Sequence, residues 1–430
     1  MKQSPFGSQN PTKPSRRTPM VYQHRSILDN DLYKLSMQQG VLELYPDVEA
    51  EYVFVNRRAG KDEFNADFCN QLQTAINGMA DLRLTDQEYK YVRSIPWFKP
   101  SYVEYLRNYR FNPDHVKIEC VNVSGQAANL SLRIKGPWRD TIWDEVPLMA
   151  AISEIWFANR ADQWNMDGQA FKASEKARLL LEAGCNWTDF GTRRRRSFEV
   201  QELFVHTALN TQAAKPWAGK FIGTSNVLLA MMMNTTPIGT MAHEWIQAHS
   251  VLSSLRHANR GALEAWVKVY RSELGIALTD TYTTPAFFAD FDPYLARLFD
   301  GVRHDSGCPF KFTDAVVAHY QKLKIDPSSK TIIFSDSLNV DLAIKIAAYC
   351  KQKGIRCSFG IGTHFTNDFE GILKALNMVI KLVKLDGVDV VKLSDDIKKA
   401  IGHPDAIRVA RYVHCGIPLD APMDTPFIAL

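Results

Sequence analysis

Seven short apolar segments in the middle of the chain each end in small, polar or charged residues and are followed by a helical pattern. Their endings lie at residues 189–192, 223–226, 239–240, 278–280, 303–307, 335–337 and 359–363. Roughly 25–40 residues separate most of them, which is the spacing of successive βα units. Because the carboxyl ends of parallel strands surround one site in an α/β barrel, this pattern favours a barrel. A doubly wound open sheet would concentrate its polar residues at one crevice.

The regions before and after these segments predict a second domain. The stretch 51-EYVFV-55 alternates like a half-buried strand, and 116–124 with 129–135 predict a β-hairpin around a turn at 125–129. A long buried helix is predicted beside Pro147, and residues 378–396 predict two strands around Asp386-Gly387. We therefore expect a disordered tail at 1–20, an α+β domain at 21–148 joined by the returning segment 378–430, and an α/β barrel at 149–377.

Composition excludes several classes of protein. Hydrophobic residues make up 46% and charged residues 23%, as in soluble globular proteins. The net charge of +4 is too small to indicate binding to nucleic acid or an anionic membrane, despite the run 193-RRRR-196. No apolar run reaches the ~18–20 residues of a membrane span, and the N-terminal stretch lacks the apolar core of a secretory signal. The seven cysteines are scattered without a C-x-x-C pair, which predicts reduced thiols in a cytoplasmic protein.

Two of the strand endings carry glycine, serine and aspartate where a phosphate could bind. In 359-FGIGT-363, Gly360 and Gly362 would let backbone N–H groups approach an anion, with a helix expected to begin near Thr366. Such glycines also serve ordinary tight turns. Ser335 and Asp336 follow another apolar strand, and they would either contact a ligand or cap a helix beginning near Leu338.

Two further endings carry groups for catalysis. Arg303 could fork onto a carboxylate or phosphate, and Asp305 could hold a metal or sugar hydroxyls, although an exposed ion pair would look the same. His243 begins a predicted helix at the barrel mouth, where a neutral imidazole could act as a base, a metal ligand or a nucleophile toward phosphorus. Asp280 could orient one ring nitrogen of this histidine. His249 and His257 lack such surroundings and are interpreted as structural.

These motifs together resemble one family. The segments DFGTRRRRS, FIGTSN, GTMAHEW, ALTD, RHDSG, FSDSLN, FGIGT and NMVIKL, preceded by 28-LDNDLYKLSMQQ-39, are similar in order and spacing to those of nicotinate phosphoribosyltransferases. The resemblance covers residues 26–394. It implies an irregular, funnel-like α/β barrel with an α+β domain. It also implies transfer of the ribosyl 5-phosphate group from phosphoribosyl pyrophosphate to nicotinate, in the Preiss-Handler route of NAD salvage.

The resemblance also assigns roles to residues. His243 matches a histidine that is phosphorylated during ATP hydrolysis, and Asp280 matches the carboxylate that contacts it. The implied nicotinate contacts are Tyr33, Phe190, Arg193, Thr240 and Arg303. The implied phosphoribosyl pyrophosphate contacts are Arg57, Asp305, Ser335, Asp336, Gly360, Gly362 and Thr363. Mg²⁺ as cofactor, ATP as co-substrate and a homodimer complete the expectation.

One departure from the family pattern and one ambiguity remain in the sequence. Family members commonly read HDSGDP, whereas Cys308 stands here in place of the second acid, which predicts weaker binding of Mg²⁺ or pyrophosphate. In the arginine run, we expect Arg193 at the substrate. We expect at least one of Arg194, Arg195 and Arg196 on phosphate, and the others paired with Glu199 or Glu202. The alternatives are a nicotinamide-specific relative, disfavoured because FIGTSN contains no acid to accept an amide, and, more remotely, a nucleic-acid-binding protein.

Overall fold

The structure, a computed structural model, describes residues 22–58, 62–121, 129–371 and 373–425. The expected tail at 1–20 and most of the predicted hairpin turn lie outside these residues. The β-strands are β1 Glu49–Asn56, β2 Val116–Val121, β3 Asn129–Pro137, β4 Asn186–Asp189, β5 Lys220–Thr224, β6 Thr236–Pro237, β7 Ile276–Leu278, β8 Gly301–His304, β9 Thr331–Phe334, β10 Arg356–Ile361, β11 Met378–Leu385 and β12 Val388–Asp389.

Helices cover both sheets and connect the strands. They are α1 Leu32–Leu44, α2 Ala66–Gly78, α3 Asp86–Ser94, α4 Pro100–Asn108, α5 Trp138–Thr141, α6 Glu145–Ala158, α7 Gln169–Glu182, α8 Phe198–Ala213, α9 Val227–Met232, α10 His243–His249, α11 Ala258–Tyr270, α12 Thr284–Asp290, α13 Pro293–Leu298, α14 Pro309–Lys322, α15 Val340–Lys353, α16 Thr363–Thr366 and α17 Pro404–Cys415. Short 3-10 turns include Thr192–Arg194 and Ile397–Lys399.

The seven predicted strand endings follow seven strands of one parallel sheet. Its strand order is β6-β5-β4-β10-β9-β8-β7, and every ladder within it is parallel. The sheet curls into an incomplete barrel, because no ladder joins β6 to β7 among the described residues. A hydrogen bond from Thr240 Oγ1 to the carbonyl of Ile276 (3.3 Å) crosses between these two edges. The α/β barrel prediction is therefore confirmed, with the irregularity that the family resemblance implied.

The second sheet is antiparallel and takes strands from both ends of the chain. Its order is β12-β11-β1-β3-β2, so the C-terminal strand β11 pairs with β1 from Val55↔Val379 to Ala50↔Leu385. The predicted strand at 51–55, the β2–β3 ladder and the return of the C-terminal strands are all seen. After β12, however, the chain leaves this sheet, because the backbone N–H of Leu393 bonds to Thr281 beyond β7 (2.8 Å). The boundaries proposed for the two domains remain predictions.

Local features differ from the prediction at two cysteines. Cys69 on α2 and Cys120 on β2 form a disulfide, so the expectation of reduced thiols is wrong for this pair. The two residues are 51 positions apart, and the packing of α2 on β2 that brings them together is not visible in their spacing. Cys185, Cys308, Cys350, Cys357 and Cys415 are free thiols.

The long helix predicted beside Pro147 is α6, and its side chains are almost all buried. Proline is tolerated there because it lies in the first turn, where the backbone N–H has no partner within the helix. Across the described ranges, no helix is both long enough and apolar enough to cross a bilayer.

Candidate active site

One large cavity of about 1940 Å³ opens where the carboxyl ends of the parallel strands meet. The predicted site residues line this cavity, with Asp280 as the exception. Asp280 is fully buried and lies behind His243, with its Oδ1 atom 3.6 Å from the Nε2 atom of the histidine. Residues placed between 33 and 363 in the sequence are thus brought to one side of the sheet, as expected for the ends of parallel strands.

His243 is the first residue of α10 and makes several polar contacts. Its Nδ1 atom lies 3.0 Å from Thr281 Oγ1. Its Nε2 atom lies 2.9 Å from Asp305 Oδ2 and 2.8 Å from the ammonium of Lys392. The expectation that Asp280 orients the ring is therefore revised, because at 3.6 Å it lies beyond hydrogen-bond distance, whereas Thr281 faces Nδ1 and both Lys392 and Asp305 face Nε2. Asp280 instead pairs through its Oδ2 atom with the Lys392 ammonium at 3.1 Å.

Burial keeps the ring of His243 neutral. Burial and, after it, the neighbouring Lys392 ammonium lower the pKa of His243 to about 4 against the opposing effect of Asp280 and Asp305. Burial alone would raise the pKa of Asp280, but Lys392 and His243 outweigh it and hold that pKa at about 2. Near neutral pH the imidazole thus has an unprotonated nitrogen beside two carboxylates and one ammonium. Such a nitrogen can attack phosphorus.

The same cluster has a composition that argues against a resident metal. Ligand atoms of His243, Asp280 and Asp305 lie within 4.8 Å of one another, which is close enough for one cation. The Lys392 ammonium, however, already contacts two of these three residues. Mg²⁺ prefers six oxygen ligands, often including substrate phosphate oxygens. Asp336 also lines the cavity, where it pairs with Lys399 at 2.7 Å.

One end of the cavity combines aromatic rings with a guanidinium. The Arg193 guanidinium lies 5.8 Å from the centre of the Tyr33 ring, and its Nη1 atom contacts Glu145 at 3.3 Å. Phe190 packs on the backbone of Gly360, where a Cβ atom would lie 2.2 Å from its ring. Gly360 is therefore needed for an aromatic contact, which differs from the phosphate role that the sequence suggested. Rings and a guanidinium in this arrangement suit a flat, anionic molecule.

Two polar residues complete this end of the cavity. The Arg303 Nη1 atom donates to the carbonyl of Met241 at 3.0 Å, which fixes its side chain beside α10. Thr240 lies at the end of β6 and is half-buried. Both line the cavity, so each is placed where the sequence predicted it.

The other end of the cavity is rich in cations and small polar residues. It is formed by Arg57, Arg194, Ser335, Asp336, Gly362, Thr363 and Lys399. The Oγ atom of Ser335 donates to Asp305 Oδ1 at 2.7 Å, which links this end to the His243 cluster. Guanidinium and ammonium groups around small side chains are typical of phosphate sites.

Two helix starts near this end differ from the prediction. The helix expected near Thr366 begins at Thr363, and it is a single turn, α16. The helix expected near Leu338 is α15, and Asn339 caps it by accepting from the backbone N–H of Leu342 at 2.8 Å. Ser335 and Asp336 are therefore not caps. Their side chains remain available to the cavity.

The arginine run divides into residues that line the cavity and residues that hold the fold. Arg195 is buried and pairs with both oxygens of Asp29 (2.8 and 2.6 Å) and with Glu154 (2.7 Å). Arg196 is buried against the rings of Phe157 and Phe369.

The expected pairing of this run with Glu199 or Glu202 is wrong. Helix α8 begins only at Phe198, so the arginines lie in a 3-10 turn and the loop after it. Glu199 is exposed and pairs with Arg25 instead. Of the three residues left open by the sequence, Arg194 is the one that lines the cavity. Burial, and then the neighbouring Arg193 and Arg57, lower the pKa of Arg194 to about 10, which leaves it charged at neutral pH.

Several residues of the site were not found from the sequence. They are Thr281, Lys381, Lys392 and Lys399, together with the buried charges Lys34, Glu145 and Glu244. Lys381, Lys392 and Lys399 belong to the C-terminal part of the chain, so their approach to the cavity requires the tertiary fold. Lys381 occurs within the motif NMVIKL, which could have marked it. Burial lowers its pKa to about 8, with the cations Arg193 and Lys392 lowering it further against the attraction of Glu145.

Comparison with known proteins places the chain in a family. Residues 185–416 match the model of the nicotinate phosphoribosyltransferase (NAPRTase) family, and residues 28–153 match the model of its N-terminal domain. A nicotinate phosphoribosyltransferase of Methanosarcina mazei is 45% identical over 410 residues, covering 90% of this chain and 98% of the relative. A probable nicotinate phosphoribosyltransferase of Schizosaccharomyces pombe is 40% identical over 402 residues, covering 91% of this chain and 97% of the relative.

Solved structures agree with the sequence relatives. A nicotinate phosphoribosyltransferase from Porphyromonas gingivalis superposes with a TM-score of 0.86 at 36% identity, covering 92% of this chain and 100% of its own. A putative nicotinate phosphoribosyltransferase from Saccharomyces cerevisiae also gives a TM-score of 0.86, at 35% identity, covering 91% of this chain and 97% of its own. On the matched models, the identities and the shared architecture, this chain belongs to the nicotinate phosphoribosyltransferase family.

Proposed function

We propose that the chain joins nicotinate to phosphoribosyl pyrophosphate, giving nicotinate mononucleotide and pyrophosphate, and that ATP hydrolysis through a phosphorylated His243 drives the reaction. The observation that supports this most strongly is the layout of the cavity. The lining of one cavity combines the rings of Tyr33 and Phe190 with Arg193, the cations Arg57, Arg194 and Lys399, and a buried, neutral histidine. These are the groups that an aromatic carboxylate, a sugar phosphate and a phosphoryl donor require.

In the transfer step, the ring nitrogen of nicotinate attacks C1 of the ribose while the bond to pyrophosphate breaks. Positive charge develops on the ribose ring and negative charge on the leaving group. The guanidinium and ammonium groups of Arg57, Arg194 and Lys399 stabilise the leaving pyrophosphate, which takes both electrons of the broken bond. Arg193 and the rings of Tyr33 and Phe190 hold the nicotinate carboxylate and ring in place. Asp305 is placed to accept hydrogen bonds from the ribose hydroxyls.

In the coupling step, His243 Nε2 attacks the γ-phosphorus of ATP. A phosphorus–nitrogen bond forms and the bond from the γ-phosphorus to ADP breaks. Lys392, at 2.8 Å from Nε2, balances the negative charge of the phosphoryl group, and Thr281 holds the opposite ring nitrogen. Water later cleaves the phosphorus–nitrogen bond, which releases phosphate and restores the neutral ring. Because Asp305 contacts the same Nε2 atom, phosphorylation must move its carboxylate, which couples ATP hydrolysis to the phosphoribosyl site.

Mg²⁺ is part of this proposal and would bind together with the phosphate-bearing substrates. It supplies charge neutralisation for phosphate oxygens when it is bound. Asp336 is the cavity carboxylate best placed to hold it. Cys308 is exposed beside the site and offers no oxygen ligand, so weaker binding of the metal remains our expectation.

The nicotinamide-specific alternative is tested by one feature of the structure. No acid occurs within FIGTSN, but Ser225 of this motif donates to Asp31 Oδ1 at 2.8 Å, and Asp31 lines the cavity. An acid is therefore present at the end of β5, although it is Asp31, the residue before α1, and not a residue of the motif itself. Its Oδ1 is already engaged by Ser225, and Arg193 lies at the same end of the cavity, which favours an anionic substrate. The 40–46% identical relatives are named for nicotinate.

The proposal is tested by measuring mononucleotide formation with phosphoribosyl pyrophosphate and either nicotinate or nicotinamide. We expect turnover of nicotinate and at least a hundredfold lower kcat/KM for nicotinamide, because an amide cannot pair with a guanidinium as a carboxylate does. Omission of phosphoribosyl pyrophosphate is the control. Comparable turnover of both bases would support the nicotinamide-type alternative.

Small-molecule substrates are thus the partners we propose, and a homodimer and a cytoplasmic location remain part of the proposal.

A further inference from the structure

A row of charged side chains lies along the cavity, with Arg193, Glu145 and Glu244 in its lining and Lys34 buried between the two glutamates. It consists of Arg193, Glu145, Lys34 and Glu244, and we name it the charge relay. Glu145 uses one oxygen for each cation, with Oε1 at 3.3 Å from Arg193 and Oε2 at 2.8 Å from Lys34. The Lys34 ammonium contacts Glu244 at 2.5 Å. Positive and negative groups therefore alternate, and their formal charges cancel.

The relay is buried along most of its length. Lys34 has 0% relative exposure, and Glu145 and Glu244 have 6% each. Burial alone would raise the pKa of Glu145, but Lys34, Lys381 and Arg193 outweigh it and hold the pKa at about 2. The two carboxylates correspondingly raise the pKa of Lys34 against the effect of burial. Glu145, Lys34 and Arg193 are thus ionised near neutral pH.

Two members of the relay are chain neighbours of predicted site residues. Lys34 follows Tyr33, and Glu244 follows His243. The second oxygen of Glu244 accepts from the Tyr52 hydroxyl (2.5 Å) and from the Trp138 indole (2.7 Å). The Glu244 end of the relay is therefore held by Tyr52 and Trp138. Lys34 contacts both Glu244 and Glu145 and so links this end to Glu145.

Arg193 depends on this row of charges for its orientation. Within the described ranges, its one hydrogen-bonded side-chain partner is Glu145. The remaining N–H groups of the guanidinium have no such partner there, and 36% of the side chain is exposed to the cavity. An arginine held at one edge presents its other edge in a fixed direction, which lowers the entropy lost when it binds a carboxylate.

We infer that Glu145 is a positioning residue that sets the affinity for the nicotinate carboxylate by holding Arg193. This inference rests on the proposed function, because it takes nicotinate as the ligand of Arg193. Glu145 acts through its hydrogen bond to Arg193, since its negative charge is already balanced by Lys34. A glutamine at this position keeps an acceptor oxygen at the same reach, whereas alanine removes it.

The test compares Glu145→Ala with Glu145→Gln in steady-state kinetics. For Glu145→Ala we expect the KM for nicotinate to rise about tenfold, as for loss of one hydrogen bond to a charged group, with kcat within about twofold of the wild type. Glu145→Gln is expected to restore the KM to within about threefold. The KM for phosphoribosyl pyrophosphate and the inhibition constant of nicotinamide, which lacks the carboxylate, are expected to change by less than about twofold.

A second variant keeps the test decisive if Glu145→Ala does not fold. Lys34→Met/Glu145→Met removes one charge of each sign, leaves Glu244 to balance Arg193, and fills the space with straight apolar chains. It should show the same rise in the KM for nicotinate. An unchanged KM for nicotinate in the variant that folds would overturn the inference, as would an equal change in the nicotinamide constant.

Failure of the inference can be told apart from failure of the proposed function. If the wild type makes no mononucleotide from nicotinate, the proposed function is wrong. If the wild type is active and Arg193→Gln raises the KM for nicotinate while Glu145→Ala does not, the charge relay has no part in positioning Arg193.

Discussion

Arg194 and Arg195 are neighbours in the chain, yet their guanidinium groups serve different purposes. Arg194 lines the cavity, and the described residues give its side chain no hydrogen-bonded or ion-pair partner. Arg195 is buried between Asp29 and Glu154. A substrate phosphate can therefore reach the first arginine, whereas the second already holds a balanced internal charge.

Arg194→Gln should weaken substrate binding without affecting the fold. A hydrogen bond to a charged group contributes about 1.5–3 kcal/mol, so we expect the KM for phosphoribosyl pyrophosphate to rise roughly 10- to 100-fold. The melting temperature should stay close to that of the wild type. Arg178→Gln on the exposed face of α7 is the control and should change neither quantity. A normal KM in Arg194→Gln would remove Arg194 from the phosphate site.

Arg195→Gln should have the opposite effect. Removing this guanidinium leaves two buried carboxylates without their cation, which costs about 3–5 kcal/mol of folding free energy. We expect thermal unfolding to begin several degrees lower, with the KM for phosphoribosyl pyrophosphate little changed in the fraction that folds. A variant with wild-type melting and a raised KM would show instead that Arg195 contacts the substrate.

The sequence could predict the identity of the site residues but not this division. The residue types at the strand endings place His243, Arg193 and Asp305 in one cavity. The difference between Arg194 and Arg195 depends on Asp29, which lies 166 positions away and reaches Arg195 only in the folded chain. Long-range charge pairing of this kind leaves no local pattern.

At the level of secondary structure, the segment after β12 connects the two sheets at His243. Lys392 contacts His243, and the Leu393 N–H bonds to the carbonyl of Thr281. Further along, Lys399 pairs with Asp336. This segment therefore places two cations of the site from a part of the chain that begins in the other sheet.

Lys392→Met should shift the pH dependence of His243 phosphorylation. Lys392 lowers the pKa of His243, whereas Asp280 and Asp305 raise it. Without the lysine only burial opposes the two carboxylates, so the pKa rises and more of the ring is protonated at a given pH. A protonated Nε2 cannot attack phosphorus. We expect ATP-dependent phosphorylation to fall at pH 6.5 and to recover toward pH 8.5, measured as acid-labile phosphoprotein.

The wild type and a second lysine variant provide the comparison. The pKa of His243 in the wild type is about 4, so phosphorylation should not be limited by ring protonation between pH 6.5 and 8.5. Lys399→Met removes a cation that pairs with Asp336 rather than with the ring, and it should leave the pH profile unchanged. A flat profile in Lys392→Met would mean that this lysine does not control the protonation of His243.

Helix ends show where local sequence reasoning succeeds and where it fails. The prediction of His243 at the start of α10 is confirmed, because the helical stretch HEWIQAH follows a glycine turn. The start of α15 was placed two residues early, because Ser335, Asp336 and Asn339 are all good caps and only Asn339 has the required geometry. When neighbouring residues have similar propensities for the N-cap position, only tertiary packing decides which of them caps the helix.

For the whole molecule, the repeated βα spacing along the chain predicted the barrel. The antiparallel sheet depends instead on pairing between strands from distant parts of the chain. The seven βα spacings follow directly from the sequence. The pairing of β11 with β1 joins residues more than 300 positions apart, and it could be expected from the strand pattern but not given a register. The disulfide between Cys69 and Cys120 was missed because their contact arises only when α2 packs on β2.

The central claim is that one cavity carries out ribosyl transfer driven by phosphorylation of His243. The most direct test measures nicotinate mononucleotide formation with and without ATP, for the wild type and for His243→Ala. The account predicts that ATP strongly stimulates the wild type and leaves the variant nearly unchanged, while the variant keeps a slow ATP-independent transfer. Equal stimulation of both proteins by ATP would contradict it.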